Sequence, residues 1–217
     1  MFKFLFLLSV ILFSSCTSKI KEGFKDAKYS AYEMIGYEKR DLFKKEVKSV
    51  KNNQEESQKA FEDALGKLQH FYAYDGGKLE REYNKLRKAY ENSLEESNDL
   101  SQSIQNLDNV AKDLFTEWKK EIKEITNSEL RKKSSQKLRE TQVKYGDLYK
   151  ALKSSEKRIS PLLVKINDQV LYLKHNLNAG AIEGLKTEGD RIQKDIEGLI
   201  KEMKEANKEA DEFIKTL

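Results

Sequence analysis

The chain has 217 residues, only one proline and ten glycines, and 36% of its residues are charged, against about a quarter in ordinary globular domains. So few turn formers exclude a β-sandwich or barrel, which needs turn signals at short intervals, and a regular apolar stripe excludes disorder. The 41 Lys and Arg oppose 37 Asp and Glu with the signs interspersed; even the basic run from Lys119 to Lys133 is threaded by Glu121, Glu124 and Glu129, which is not the basic stripe of a nucleic-acid binder.

Residues 1–15 read as a signal peptide. Lys3 precedes an apolar run from Phe4 to Phe13, followed by Ser14, Ser15 and Cys16. At 1.5 Å per residue that run spans about 15 Å, half a bilayer core, so it fits an h-region and not a spanning helix. Cys16 is the only cysteine of the chain, which excludes an internal disulfide. Phe13-Ser14-Ser15-Cys16 resembles the bacterial lipobox, departing from it at its first position and in having Ser directly before the Cys. That resemblance implies that Cys16 carries a thioether-linked diacylglycerol and becomes the mature N-terminus, and more than one acyl chain gives stable anchoring. Thr17 in place of Asp then points to the outer membrane, with the chain facing the periplasm.

Residues 16–27 form the lipidated cysteine and a polar tether, and 28–217 a helical domain. Four stretches there carry apolar or small residues at alternating spacings of three and four, the signature of a helix with one buried face. The first, 28–73, includes Phe43, Val47, Val50, Gln54, Ser57, Phe61, Ala64, Leu68 and Tyr72; polar Gln54 and Ser57 on its stripe predict weak or hydrated packing. The second, 78–125, runs through Tyr83, Leu86, Tyr90, Leu94, Ser97 and Leu100 to Trp118 and Ile125, with Phe115 and Trp118 expected in the core. The third, 128–175, keeps its phase across Pro161, which predicts either one helix kinked there or two stacked helices with Ser160 as cap. The fourth, 179–216, repeats without a phase slip from Ile182 to Phe213.

Asp75-Gly76-Gly77 and Thr126-Asn127-Ser128 supply the clearest breaks. At Asn176–Gly180 a turn and a continuing helix are both open. Segments of similar length with short connections predict an all-α fold, an elongated, coiled-coil-like antiparallel four-helix bundle.

Several strings resemble the bacterial domain-of-unknown-function 2959 family: residues 36–41, Gly-Tyr-Glu-Lys-Arg-Asp; 75–80, Asp-Gly-Gly-Lys-Leu-Glu; 114–118, Leu-Phe-Thr-Glu-Trp; and 168–179, Asp-Gln-Val-Leu-Tyr-Leu-Lys-His-Asn-Leu-Asn-Ala. The resemblance spans nearly all of the mature chain and implies an envelope lipoprotein, with no activity to carry over.

Catalytic chemistry is not indicated. Gly76-Gly77-Lys78 lacks the upstream glycine and the hydroxyl of a phosphate-binding loop. Two histidines, His70 and His175, are too few for an ordinary zinc site, and no cofactor is expected. The basic cluster from Lys39 to Lys51 lies near the anchor, where anionic headgroups attract lysine, although Asp41 and Glu46 dilute it. In an up-down-up-down bundle the first and third turns share the end away from the anchor. His70, Phe71, Tyr72, Tyr74, Tyr172, His175, Asn176 and Asn178 then gather at one tip. They form either a plug of the bundle's open end or a docking surface for a protein. The expected function is a non-enzymatic, membrane-anchored envelope lipoprotein whose rod scaffolds or binds a protein partner or a further copy of itself. The alternative is a helical module that binds lipid or lies on a membrane surface.

Overall fold

The computed structural model describes residues 39–74 and 78–217. The signal peptide, Cys16, the tether, residues 28–38 and the Asp75-Gly76-Gly77 turn lie outside the described residues. Four helices follow in order: α1 (Lys39–Ala73), α2 (Leu79–Glu124), α3 (Ser128–His175) and α4 (Ala179–Ile214). At 1.5 Å per residue they are about 53, 69, 72 and 54 Å long. They form an antiparallel four-helix bundle, with no strand among the described residues.

Local chemistry sets the boundaries. Asn127 caps α3, its Oδ1 accepting from the backbone N–H of Glu129 at 3.0 Å and of Leu130 at 3.1 Å. Asn178 caps α4 in the same way through the N–H of Ala181, so the third break is a turn and no helix runs through it. Such caps occupy N–H groups that a helix start leaves without partners. Pro161 lies inside α3, which is a single helix and not two stacked ones; the proline has no N–H to offer the carbonyl of Lys157.

The apolar stripes pack as the periodicity demands. Phe43, Phe61, Leu86, Leu100, Leu107, Leu148, Leu152, Ile166, Ile196 and Leu199 have at most 1% of their surface exposed. One stretch departs from the expected stripe. In α2, Ala89 and Ser93 are buried whereas Leu94 is exposed. The Ser93 hydroxyl reaches the carbonyls of Ala89 at 2.9 Å and of Ala60 in α1 at 3.2 Å, so small residues bring α1 and α2 close together there. Tyr90 and Leu94 are turned aside and line a groove of about 750 Å³ between α2 and α3, with Lys153, Lys157, Leu163 and Val164 on its other wall.

Gln54 and Ser57 are fully buried. The Gln54 amide donates to Ser155 Oγ of α3, 3.0 Å away, joining the two diagonal helices. Phe115 is buried as expected, but Trp118 is half-buried and donates its indole N–H to Ser134 of α3.

Charge alternates around the bundle. Counting Lys and Arg against Asp and Glu, α1 carries 8 against 6, α2 8 against 11, α3 12 against 5 and α4 6 against 10. Consecutive helices therefore carry opposite signs. Cross-helix ion pairs exploit this: Lys51–Asp211 at 2.8 Å, Arg158–Glu202 at 2.5 Å and Lys165–Asp195 at 2.7 Å. Such exposed pairs add little stability each, but they oppose mispaired arrangements of the same helices.

Candidate functional site

The end of the bundle that holds the α1–α2 and α3–α4 turns carries the residues singled out in the sequence. Phe71 is completely buried and meets Tyr72 edge-on, with ring centroids 6.1 Å apart. Tyr72 is buried too, and its hydroxyl donates to Gln169 Oε1 of α3. Burial raises the Tyr72 phenol well above the ordinary tyrosine value, so it acts as a neutral donor. Its ring lies against Gly189 of α4, where an added Cβ would overlap the ring carbons. Glycine is required by this approach and not by an unusual backbone angle. Two of the eight residues are therefore core, as a plug demands.

His70 and Tyr74 stand outside that plug. Their rings are 5.7 Å apart, and His70 Nε2 lies 3.2 Å from Glu82 Oε2 at the start of α2. Arg81 Nε at 2.9 Å and Lys85 Nζ at 3.0 Å hold the same carboxylate. Only 2% of the Glu82 side chain is exposed, because these side chains cover it. The bond from Lys85, then that from Arg81, lowers its pKa below the ordinary carboxylate value against the opposing effect of desolvation. The cluster ties the end of α1 to the beginning of α2.

Asn176 and Asn178 serve the α3–α4 turn. The backbone N–H of Asn176 reaches the Leu173 carbonyl at 3.2 Å, and its side-chain amide closes on the Tyr172 carbonyl at 2.9 Å. Tyr172 and its neighbour Leu171 keep 46% and 52% of their surface exposed, and His175 is exposed as well.

The two turns share an end but not a height. α1 stops one residue after Tyr72, whereas α3 continues six residues beyond Gln169, about 9 Å. α4 begins ten residues before Gly189, about 15 Å. α3 and α4 thus extend beyond the end of α1. His70 and Tyr74 occupy the lower step; Tyr172, His175, Asn176 and Asn178 occupy the upper one.

Sequence reasoning missed Glu82 and Gln169. Glu82 and Gln169 each sit one position before a stripe residue, Tyr83 and Val170, and that adjacency was the available signal. No group of three or more His, Cys, Asp or Glu side chains among the described residues has the arrangement to hold a metal ion. No described helix is long and apolar enough to cross a membrane.

No curated protein matches the sequence. The family model described as protein of unknown function, DUF2959, matches residues 28–217, a span that takes in every described helix. The chain belongs to the DUF2959 family.

Proposed function

We propose that this is a non-enzymatic, lipid-anchored protein of the bacterial envelope, held through Cys16 in the outer membrane and facing the periplasm, whose helical bundle binds a protein partner there. The observation that carries the partner reading is the α3–α4 hairpin, which extends beyond the end of α1 with Tyr172 and His175 exposed on it. An exposed tyrosine offers a ring for packing and a hydroxyl for a hydrogen bond, and aromatic residues are enriched in protein interfaces. The anchor reading is supported by a lone cysteine two serines after a short apolar run.

Two readouts in the producing cell test it. The parent chain is expected in the membrane fraction with a lipid-modified N-terminus, and Cys16→Ala to remain unprocessed or mislocalised. A photo-crosslinking residue at Tyr172 is expected to give a discrete adduct of defined mass that the same group at exposed Glu197 does not. A Cys16→Ala chain that matures and fractionates like the parent contradicts the anchor. Identical adducts from both positions contradict the hairpin as the docking surface.

A further inference from the structure

Twelve Lys and Arg against five Asp and Glu make α3 far more basic than any other helix of the bundle. The excess is concentrated on one face. At about 100° per residue, Lys132, Arg139, Lys150, Lys153 and Lys157 fall within an arc of about 80°, diametrically opposite core-facing Leu148. Asp168 is the only carboxylate side chain of α3 in that arc. Arg139, Lys150 and Lys157 have no carboxylate within ion-pair distance among the described residues, whereas Lys153 is paired with Glu156 of the same helix.

The same arc holds Val143, Val164 and Leu171, which are 66%, 57% and 52% exposed. With Lys150 and Lys157 they form an unbroken series at seven-residue spacing. A solvated face has no use for three large apolar side chains in register with its lysines. A surface that is anionic outside and apolar just beneath accommodates both. The acidic helices α2 and α4 flank α3 and would be repelled by such a surface, so only the α3 side fits against it.

We propose that the outward face of α3 is a docking surface for an anionic phospholipid bilayer, with the lysines at the headgroups and Val143, Val164 and Leu171 at the acyl boundary. The bundle then lies along the membrane. The setting rests on the anchored reading above, but the face itself does not depend on Cys16 or on a protein partner. It also differs from the Lys39–Lys51 cluster suggested by the sequence, where Lys51 is held by Asp211 and Glu55 and Arg40 bonds the Leu217 carbonyl.

The full chain is reconstituted in vesicles of phosphatidylcholine alone, or of equal parts phosphatidylcholine and phosphatidylglycerol. Lysine acetylation is then read by mass spectrometry. Lys150, Lys153 and Lys157 are expected to be protected several-fold in the anionic vesicles, while Lys186, Lys194 and Lys201 of α4 label equally in both. High salt, which screens charges beyond about 3 Å at 1 M, is expected to abolish the protection. Equal labelling of α3 in the two vesicle types overturns the proposal. The combined Val143→Ser, Val164→Ser and Leu171→Ser variant alters only exposed positions and should lose most of the protection. Protection unchanged in that variant, or matched by a soluble polyanion such as heparin, replaces the bilayer with a purely charged partner and overturns the proposal. Cys16→Ala separates the two readings. Protection that survives in it while the parent proves unlipidated removes the anchor and leaves the α3 face standing; loss of lipid dependence in an anchored parent does the reverse.

Discussion

Toward the end of the bundle that holds the α2–α3 turn, each helix contributes one aromatic ring. Phe43 meets Phe115, Tyr145 and Phe213 with centroids 5.6–5.8 Å apart, at edge-on angles of 63–80°. At the other end, about 43 Å away along α1, Tyr72 is the ring that reaches across the bundle, and it meets an amide and a glycine. The first end is closed by shape and apolar area. The second is closed by buried Phe71 and the Tyr72 ring together with one hydrogen bond, and the Gln169 Nε2 beside it has no partner among the described residues. The lesson is that one continuous stripe of apolar positions specifies helices, while the residues at particular heights decide how firmly each level is held.

The comparison can be broken by substitution. Phe43→Ala removes the ring that touches the other three and is expected to cost about 3–5 kcal/mol, read by chemical denaturation. Tyr72→Phe keeps the packing and removes one donor, leaving Gln169 Oε1 unpaired; about 1–2 kcal/mol is expected. Equal losses at the two ends would erase the distinction drawn here.

A smaller effect sharpens it. The Glu82 carboxylate is held by Lys85, Arg81 and His70, and its folded pKa lies below the ordinary value of 4.5. A depressed carboxylate stabilises the folded state above its unfolded value, and that contribution is lost as pH falls through the folded value. Acidification below about 4.5 is therefore expected to loosen the α1–α2 end first, and Glu82→Gln to remove that part of the pH dependence. Tyr145 at the aromatic end shows the contrast: burial, then the nearby Asp108, raises its phenol, so it stays neutral throughout the acid range.

Much of this architecture was legible in the sequence because it depends on local chemistry. Asn127 and Asn178 are caps, and caps announce helix starts. The stripe residues of α1 from Phe43 to Tyr72 and of α3 from Leu138 to Leu173 are buried in the positions their spacing demands. What the sequence concealed depends on relations between helices. The displacement of Leu94 follows from the close approach at Ser93 and Ala60. The stepped end follows from the register that Phe43, Phe115, Tyr145 and Phe213 set together. Neither is written in the periodicity of a single helix. The candidate site suffered most: His70, Tyr72 and Tyr172 lie near the same end, but as ion-pair partner, plug and exposed surface in turn. The basic face of α3 was hidden for another reason, because a net charge of +4 over the whole chain averages a strongly basic helix with two acidic neighbours.

Native-state hydrogen exchange tests the central claim most directly, since it reports the free energy of opening residue by residue. The slowest amides are expected around Phe43, Phe115, Tyr145 and Phe213, with those near Tyr72, Glu82 and Gln169 exchanging through smaller openings and becoming faster still in Tyr72→Phe. Uniform protection along the bundle, or slower exchange at the Tyr72 end than at the aromatic end, would contradict the account.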